Sequence, residues 1–229
     1  MKILTIIPAR GGSKGIPHKN IKPLNGKPLI YYTIDNARAI CSDEDICVST
    51  DDPDIIKCVE DYGLKVPFIR PAELATDTAG TYEVLLHALD FYETQGMHYD
   101  TVLLLQNTSP FRKAEHVKDA LKLFHEGIDM VVSVNETRTN PYYNCYEEDV
   151  NGFLKRTIDI VHFTRRQDAP KTYEYNGAIY IMNAEQLKKK SFGEFQHRVK
   201  YVMDDIHSVD LDNMLDWKYA EFIIKEGLV

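Results

Sequence analysis

Five short apolar runs constrain what this chain can fold into: Ile3–Ile7 (ILTII), Asp45–Ser49 (DICVS), Thr101–Leu105 (TVLLL), Met130–Val134 (MVVSV) and Gly177–Met182 (GAIYIM). None alternates polar with apolar residues, so each suits a strand buried on both faces. Helical patterns lie between them. Pro28–Ile40 has proline in its first turn. Thr50-Asp51-Asp52-Pro53 supplies cap and start signals for a helix over Ile55–Tyr62. Thr78–Glu93 sets Val84, Leu85, Ala88, Leu89 and Tyr92 on one stripe. Further helices are predicted at Glu115–His125, Ala184–Lys189 and Asn213–Lys225, the last carrying the sole tryptophan, Trp217. Short strands are predicted at Val66–Ile69 and Val199–Met203. Buried strands separated by helices predict an α/β fold, a mostly parallel sheet with helices on both faces.

The pattern changes between Asn135 and Tyr175, which is polar and aromatic. Asn151-Gly152 predicts a tight hairpin between short strands. We read this stretch as an antiparallel arm, about 136–175, on a single domain spanning 1–229, with no repeat or linker. The arm suits an oligomer contact. The chain is 27% charged with a formal net charge of −8, which argues against a nucleic-acid partner. No run approaches the ~18 apolar residues of a membrane span. The first apolar run is too short for a signal peptide and meets proline and charge at once. A cytoplasmic protein without a membrane partner is expected. Cys41, Cys47, Cys58 and Cys145 show no CxxC spacing and are expected to be reduced and mostly buried.

The charge is uneven. Residues 1–34 contain Lys2, Arg10, Lys14, Lys19, Lys22 and Lys27 but no acid. The first strand breaks at Pro8 into a loop with Gly11, Gly12 and Gly15 among Arg10, Lys14, His18 and Lys19. Glycine lets backbone N–H groups approach phosphate oxygens, and fixed cations offset their charge. The bland alternative is a solvated basic loop. The loop is neither a Walker A motif nor a GxGxxG fingerprint. In open α/β sheets ligands sit at the carboxyl ends of the parallel strands. The loops there are Pro8–Lys22, Thr50–Pro53, Arg70–Thr81, Gln106–Arg112 and Asn135 onward. A separate acidic cluster holds Asp204, Asp205, Asp210, Asp212 and Asp216. Asp210 and Asp212 are two apart, so in an extended piece they face one side and can share a hard cation. Two solvated aspartates near a helix N-terminus are the alternative. The eight histidines form no HExxH, and no Ser-His-Asp set can be argued.

PARGGSKGIPHKNIKPLNGKPLI resembles the nucleotide-binding signature of the acylneuraminate cytidylyltransferases, the CMP-sialic acid synthetases and their relatives. VSTDDPDI (48–55), RPAELATDTAGT (70–81), LLQNTSPFR (104–112), NGAIYI (176–181) and VDLD (209–212) match in order. The resemblance implies a Rossmann-like nucleotide-diphospho-sugar transferase fold with a small antiparallel dimerisation arm, hence a homodimer. It implies attack by the anomeric hydroxyl of an acidic nine-carbon sugar on the α-phosphate of CTP, with Mg²⁺ and loss of pyrophosphate. By resemblance, Arg10 and Lys19 contact the triphosphate, Pro8, Ala9 and Asn20 help hold the nucleotide, and Arg70 and Thr81 complete the cytidine side. Asp210 and Asp212 hold the metal. Gln106, Tyr180 and Arg166 face the sugar, with Arg165 the competitor of Arg166. Sialic acid is the expected substrate; legionaminic acid, pseudaminic acid and Kdo are the alternatives, and a non-catalytic nucleotide-sugar-binding protein is the rival class. Tyr173-Glu174-Tyr175 departs from the Arg-Pro found before Asn-Gly in some relatives.

Overall fold

Each of the five apolar runs forms a strand. The computed structural model describes residues 1–160 and 162–229. In chain order the elements begin with β1 (Ile3–Pro8), β2 (Pro23–Leu24), β3 (Lys27–Pro28), α1 (Leu29–Arg38), β4 (Ile46–Ser49) and α2 (Pro53–Asp61). Next come α3 (Thr81–Thr94), β5 (Thr101–Leu105), α4 (Ala114–Lys122) and β6 (Met130–Glu136). The chain continues with β7 (Tyr146–Glu148), β8 (Leu154–Arg156), β9 (Tyr173–Asn183), α5 (Ala184–Lys189), β10 (Arg198–Val202) and α6 (Met214–Lys225).

Six strands form one sheet in the order β10-β6-β9-β5-β1-β4. β1 pairs in parallel with β4 and β5, and β10 with β6. β9 runs antiparallel between β5 and β6, so the sheet is mixed. Side chains alternate between faces along each strand. Leu103, Leu105, Val131, Ile179 and Ile181 meet Ile30 and Ile34 of α1, Ile55 and Val59 of α2, and Val117 and Ala120 of α4. Val102, Leu104, Val132 and Met182 meet Leu85, Ala88, Leu89 and Tyr92 of α3, with Ala184 and Leu187 of α5. Both faces are covered, as the non-alternating strands require. Among the described residues no helix is long and apolar enough to cross a membrane.

The caps follow the sequence. The Asp52 carboxylate accepts from the N–H groups of Asp54 (2.8 Å) and Ile55 (3.2 Å), with Pro53 opening α2. Asn213 caps α6, its side chain accepting from Leu215 N at 2.8 Å. That helix buries Trp217, Ala220 and Ile223 against Ile16, Leu24, Leu29, Phe111 and Leu211, which pins the opening loop from outside.

Three expectations change. Val66–Ile69 is not a strand; only Ile69 makes a single parallel bridge, to Thr50. Pro67 removes a backbone donor from the middle of that run. The helix expected from Thr78 starts at Thr81, because residues 75–80 form a loop. Only Cys47 among the four free cysteines is fully buried. The hairpin at Asn151-Gly152 is present as β7 and β8. A second one, β2–β3, turns at Asn25-Gly26, both at positive φ (50° and 78°).

Arg112 is fully buried and joins three elements. One terminal nitrogen donates to the carbonyls of Gln106 (3.0 Å) and Ala178 (2.8 Å), the other to the Thr33 hydroxyl (3.1 Å). It has no carboxylate partner among the described residues, and burial pulls its guanidinium down to about 9. Arg112→Ala should strand these acceptors and open a void, lowering stability by about 3–5 kcal/mol in urea melts.

Candidate active site

The opening loop is fastened at several points. After β1, the N–H of Ala9 donates to Ser49 O at 2.9 Å and its methyl sits in the core. Asn20 is buried. Its amide donates to Arg10 O (3.0 Å), and its carbonyl accepts from Asn107 (3.2 Å), just past β5. The Lys19 ammonium donates to Leu211 O at 2.7 Å and lies 3.8 Å from Asp212 Oδ1. Burial lowers the proton affinity of Lys19, while Asp212 and Asp210 raise it.

The glycines serve close packing more than phosphate approach. A Cβ on Gly15 would lie 1.9 Å from the backbone oxygen of Asp212, and one on Gly11 2.3 Å from the Asp52 carboxylate. Only Gly12 of the three faces open space. The opening loop and the acidic segment are therefore in backbone contact.

A cleft of about 290 Å³ opens at the carboxyl ends of β1, β4 and β5. Pro8, Arg10, Lys19, Asn20, Arg70, Thr81 and Gln106 all line it. Arg70 is largely committed already. Its Nε donates to Ser49 Oγ at 3.0 Å and a terminal nitrogen to Ser49 O, and burial lowers its proton affinity. Thr81 begins α3, whose N-terminal dipole end meets the cleft and favours negative charge. Gln106 follows β5 directly. Gly177, at φ +75°, has no side chain to crowd Gln106. A Cβ there would lie 3.1 Å from Gln106 Oε1 and 3.9 Å from Asp210 Oδ2. Gln106 and Asp210 thus both approach the bare Cα of Gly177 in β9.

Burial raises the Asp210 carboxyl above the usual range and the charge of Asp212 adds to it, while the Thr108 hydroxyl and Lys19 oppose the shift. Asp210 Oδ1 and Thr108 Oγ1 are both buried and neither has another hydrogen-bond partner among the described residues, so they are left to each other. Tyr180 does not line the cleft. It is buried on the α3 face, edge-on to Tyr175 at 6.1 Å, and burial pushes its hydroxyl up to about 12, with Asp210 adding to the shift. Arg166 is not brought to the cleft either. It lies at the base of the arm, exposed, and donates to Thr137 O at 3.1 Å. Arg165 is paired with Asp168 at 2.8 Å.

Sequence reasoning missed Asp77. Its carboxylate accepts from Arg10 at 2.7 Å and contacts the Lys14 ammonium at 2.5 Å, inside the cleft lining. The signal was an acid within RPAELATDTAGT, a stretch that flanks the basic loop. Asn107 and Thr108 also line the cleft, and both follow Gln106 in LLQNTSPFR.

The cytidylyltransferase family model matches residues 4–222. The chain is 35% identical to the CMP-N,N'-diacetyllegionaminic acid synthase of Legionella pneumophila over 226 residues, covering 98% of this chain and 97% of that protein. It is 31% identical to a pseudaminic acid cytidylyltransferase of Campylobacter jejuni, covering 98% and 97%. An N-acylneuraminate cytidylyltransferase of Escherichia coli is 36% identical over 223 residues, 96% of this chain but 51% of the longer relative. In fold, the CTP complex of CMP:2-keto-3-deoxy-manno-octonic acid synthetase superposes with a TM-score of 0.71 at 16% identity, covering 99% and 100% of the two chains. A family match over nearly the whole length, joined to end-to-end relatives above 30% identity, shows that this chain belongs to the cytidylyltransferases and is a nucleotidyltransferase.

Proposed function

We propose that this chain transfers the CMP group of CTP to an acidic nine-carbon nonulosonic sugar, sialic acid (N-acetylneuraminate) foremost, and releases pyrophosphate. The observation that carries the reading is the contact of the cationic opening loop with the acidic segment across Gly15 and Lys19, of which Lys19 lines the cleft while Asp210 and Asp212 stand outside its lining. The anomeric oxygen of the sugar forms a bond to the α-phosphorus as the bond to the β-phosphate oxygen breaks. Arg10 and Lys19 face the leaving pyrophosphate, where negative charge grows. Asn20 and Arg70 fix the loops that hold the nucleotide, and Thr81 offers a hydroxyl at the α3 N-terminus. Gln106 orients the sugar beside Asp210.

Asp210 and Asp212 fit Mg²⁺. Both offer oxygen, and Asp210 Oδ1 is buried with only the Thr108 hydroxyl to meet it. Among the described residues no group of three or more His, Cys, Asp or Glu is arranged for a metal, so phosphate oxygens and water would complete the shell. A cation there supplies Lewis-acid charge to the phosphoryl oxygens.

We also propose a homodimer joined through the arm. Its apolar side chains stand out in the single chain, with Val150 101%, Phe153 70% and Leu154 73% exposed. Arg166, remote from its own cleft, then serves the partner's sugar site by pairing with the sugar carboxylate.

A coupled pyrophosphate assay over nucleotides and sugars tests the reaction. Release should need CTP, Mg²⁺ and a sugar together, with N-acetylneuraminate ranked against legionaminic acid, pseudaminic acid and Kdo. No turnover with any of the four would sink the reading in favour of a binding protein. Asp212→Ala should lose about 100-fold or more in kcat/KM with an unchanged melting curve; full activity would remove the metal assignment. Gly15→Ala should push the Asp212 backbone away and lower kcat by roughly 10²-fold, read in the same assay. Arg166→Ala should raise the KM for sugar while sparing that for CTP.

A further inference from the structure

Asp77 is an acid set among the cations of a basic cleft. Its two carboxylate oxygens are divided between two cations of the opening loop: Oδ1 lies 2.7 Å from Arg10 Nη1, and Oδ2 lies 2.5 Å from Lys14 Nζ. Residues 1–34 hold no acid of their own, so this loop takes its counter-charge from elsewhere in the chain. The carboxylate is 45% exposed and lines the cleft. Its loop is tied internally by the Thr76 hydroxyl, which accepts from Ala79 N at 3.1 Å. The bonds from Lys14 and Arg10 hold the Asp77 carboxyl below the usual carboxylate range, so it is ionised at neutral pH.

We propose that Asp77 is a built-in competitor for phosphate: its carboxylate occupies donors of Arg10 and Lys14 that a polyphosphate takes over, and so limits how tightly pyrophosphate is held. The inference rests on reading this cleft as a polyphosphate site. A carboxylate carries one negative charge and binds each cation through one oxygen. A triphosphate or pyrophosphate carries several charges and displaces it. Orthophosphate offers less charge to repay the exchange and is disfavoured. Asp77 thereby raises the charge that a ligand needs for entry, and eases departure of the pyrophosphate product. Arg10 keeps further guanidinium donors free for the bound chain of phosphates.

Calorimetric titration with inorganic pyrophosphate and with orthophosphate tests this without turnover. Asp77→Asn should bind pyrophosphate about fivefold tighter at low salt, the scale of one exposed ion-pair energy. The gain should fade toward 1 M salt, where screening is short-ranged. Selectivity for pyrophosphate over orthophosphate should narrow. Asp77→Glu should stay near wild type, and Lys14→Met should remove most of the gain from Asp77→Asn. If wild type binds pyrophosphate and Asp77→Asn binds it equally or less tightly, the proposal fails alone. If wild type does not bind pyrophosphate, the reading of the cleft fails and takes the proposal with it.

Discussion

The ammonium of Lys19 reaches the carbonyl of Leu211 across 192 residues of sequence. Beside it, Gly15 has no side chain to hold the Asp212 backbone away. These two contacts join the only long stretch of the chain rich in cations and free of acid to an acidic segment holding Asp210, Asp212 and Asp216. The contact sets opposite charges side by side: cations that suit a polyphosphate, and carboxylates that would repel one if they stood alone. The contact depends in turn on α6. Its buried Trp217 packs with Ile16 and Leu211, so one apolar cluster holds both segments.

Behind this contact the site is braced by polar groups that never need to touch substrate. The Arg112 guanidinium binds the carbonyls of Gln106 and Ala178 and the hydroxyl of Thr33, fixing the end of β5 against β9 and α1. The Ser133 hydroxyl donates to Asn176 Oδ1 (2.6 Å), and the Asn176 amide donates to Ser208 Oγ (2.9 Å), two residues before Asp210. The kink at Gly177 therefore sits between two networks. Gln106 and Asp210 can both approach it because it carries no side chain. Rigid support of this kind is what pre-organised electrostatics demands, because each ångström of drift weakens charge stabilisation.

Much of this was legible in the sequence, for physical reasons. The parallel strands were readable because burial on both faces removes polar residues from them. The basic loop was readable because six cations without an acid over residues 1–34 stand out against a chain of net charge −8. Other features were hidden because they depend on partners distant in sequence. Val66–Ile69 has the right residues for a strand, yet Pro67 and the sheet edge leave it one bridge. Asn25-Gly26 carried a hairpin signal as clear as Asn151-Gly152, but its strands are two residues each and too short for periodicity to register. Arg112 has no sequence signal of its own at the end of LLQNTSPFR; only packing shows that it is a buried brace. Arg166 was read as a sugar contact, but it lies at the arm's base and donates to Thr137 O, a position set by chain folding that no local pattern shows. Asp77 escaped because reading for cations directs attention away from the acid that neutralises them.

The antiparallel course of β9 has an evolutionary consequence. Because β9 runs opposite to β6, the excursion after Glu136 returns at Tyr173 beside the residue it left, and those two pair directly. The N–H of Thr137 also bonds to Thr172 O at 3.0 Å, closing the base of the excursion. The excursion therefore leaves and rejoins the sheet at one place, with its ends stitched together. Such a segment can lengthen, shrink or be exchanged without disturbing register in the sheet or the triphosphate machinery beneath it. The chain can therefore vary in this one module while the sheet that carries the cleft is inherited intact.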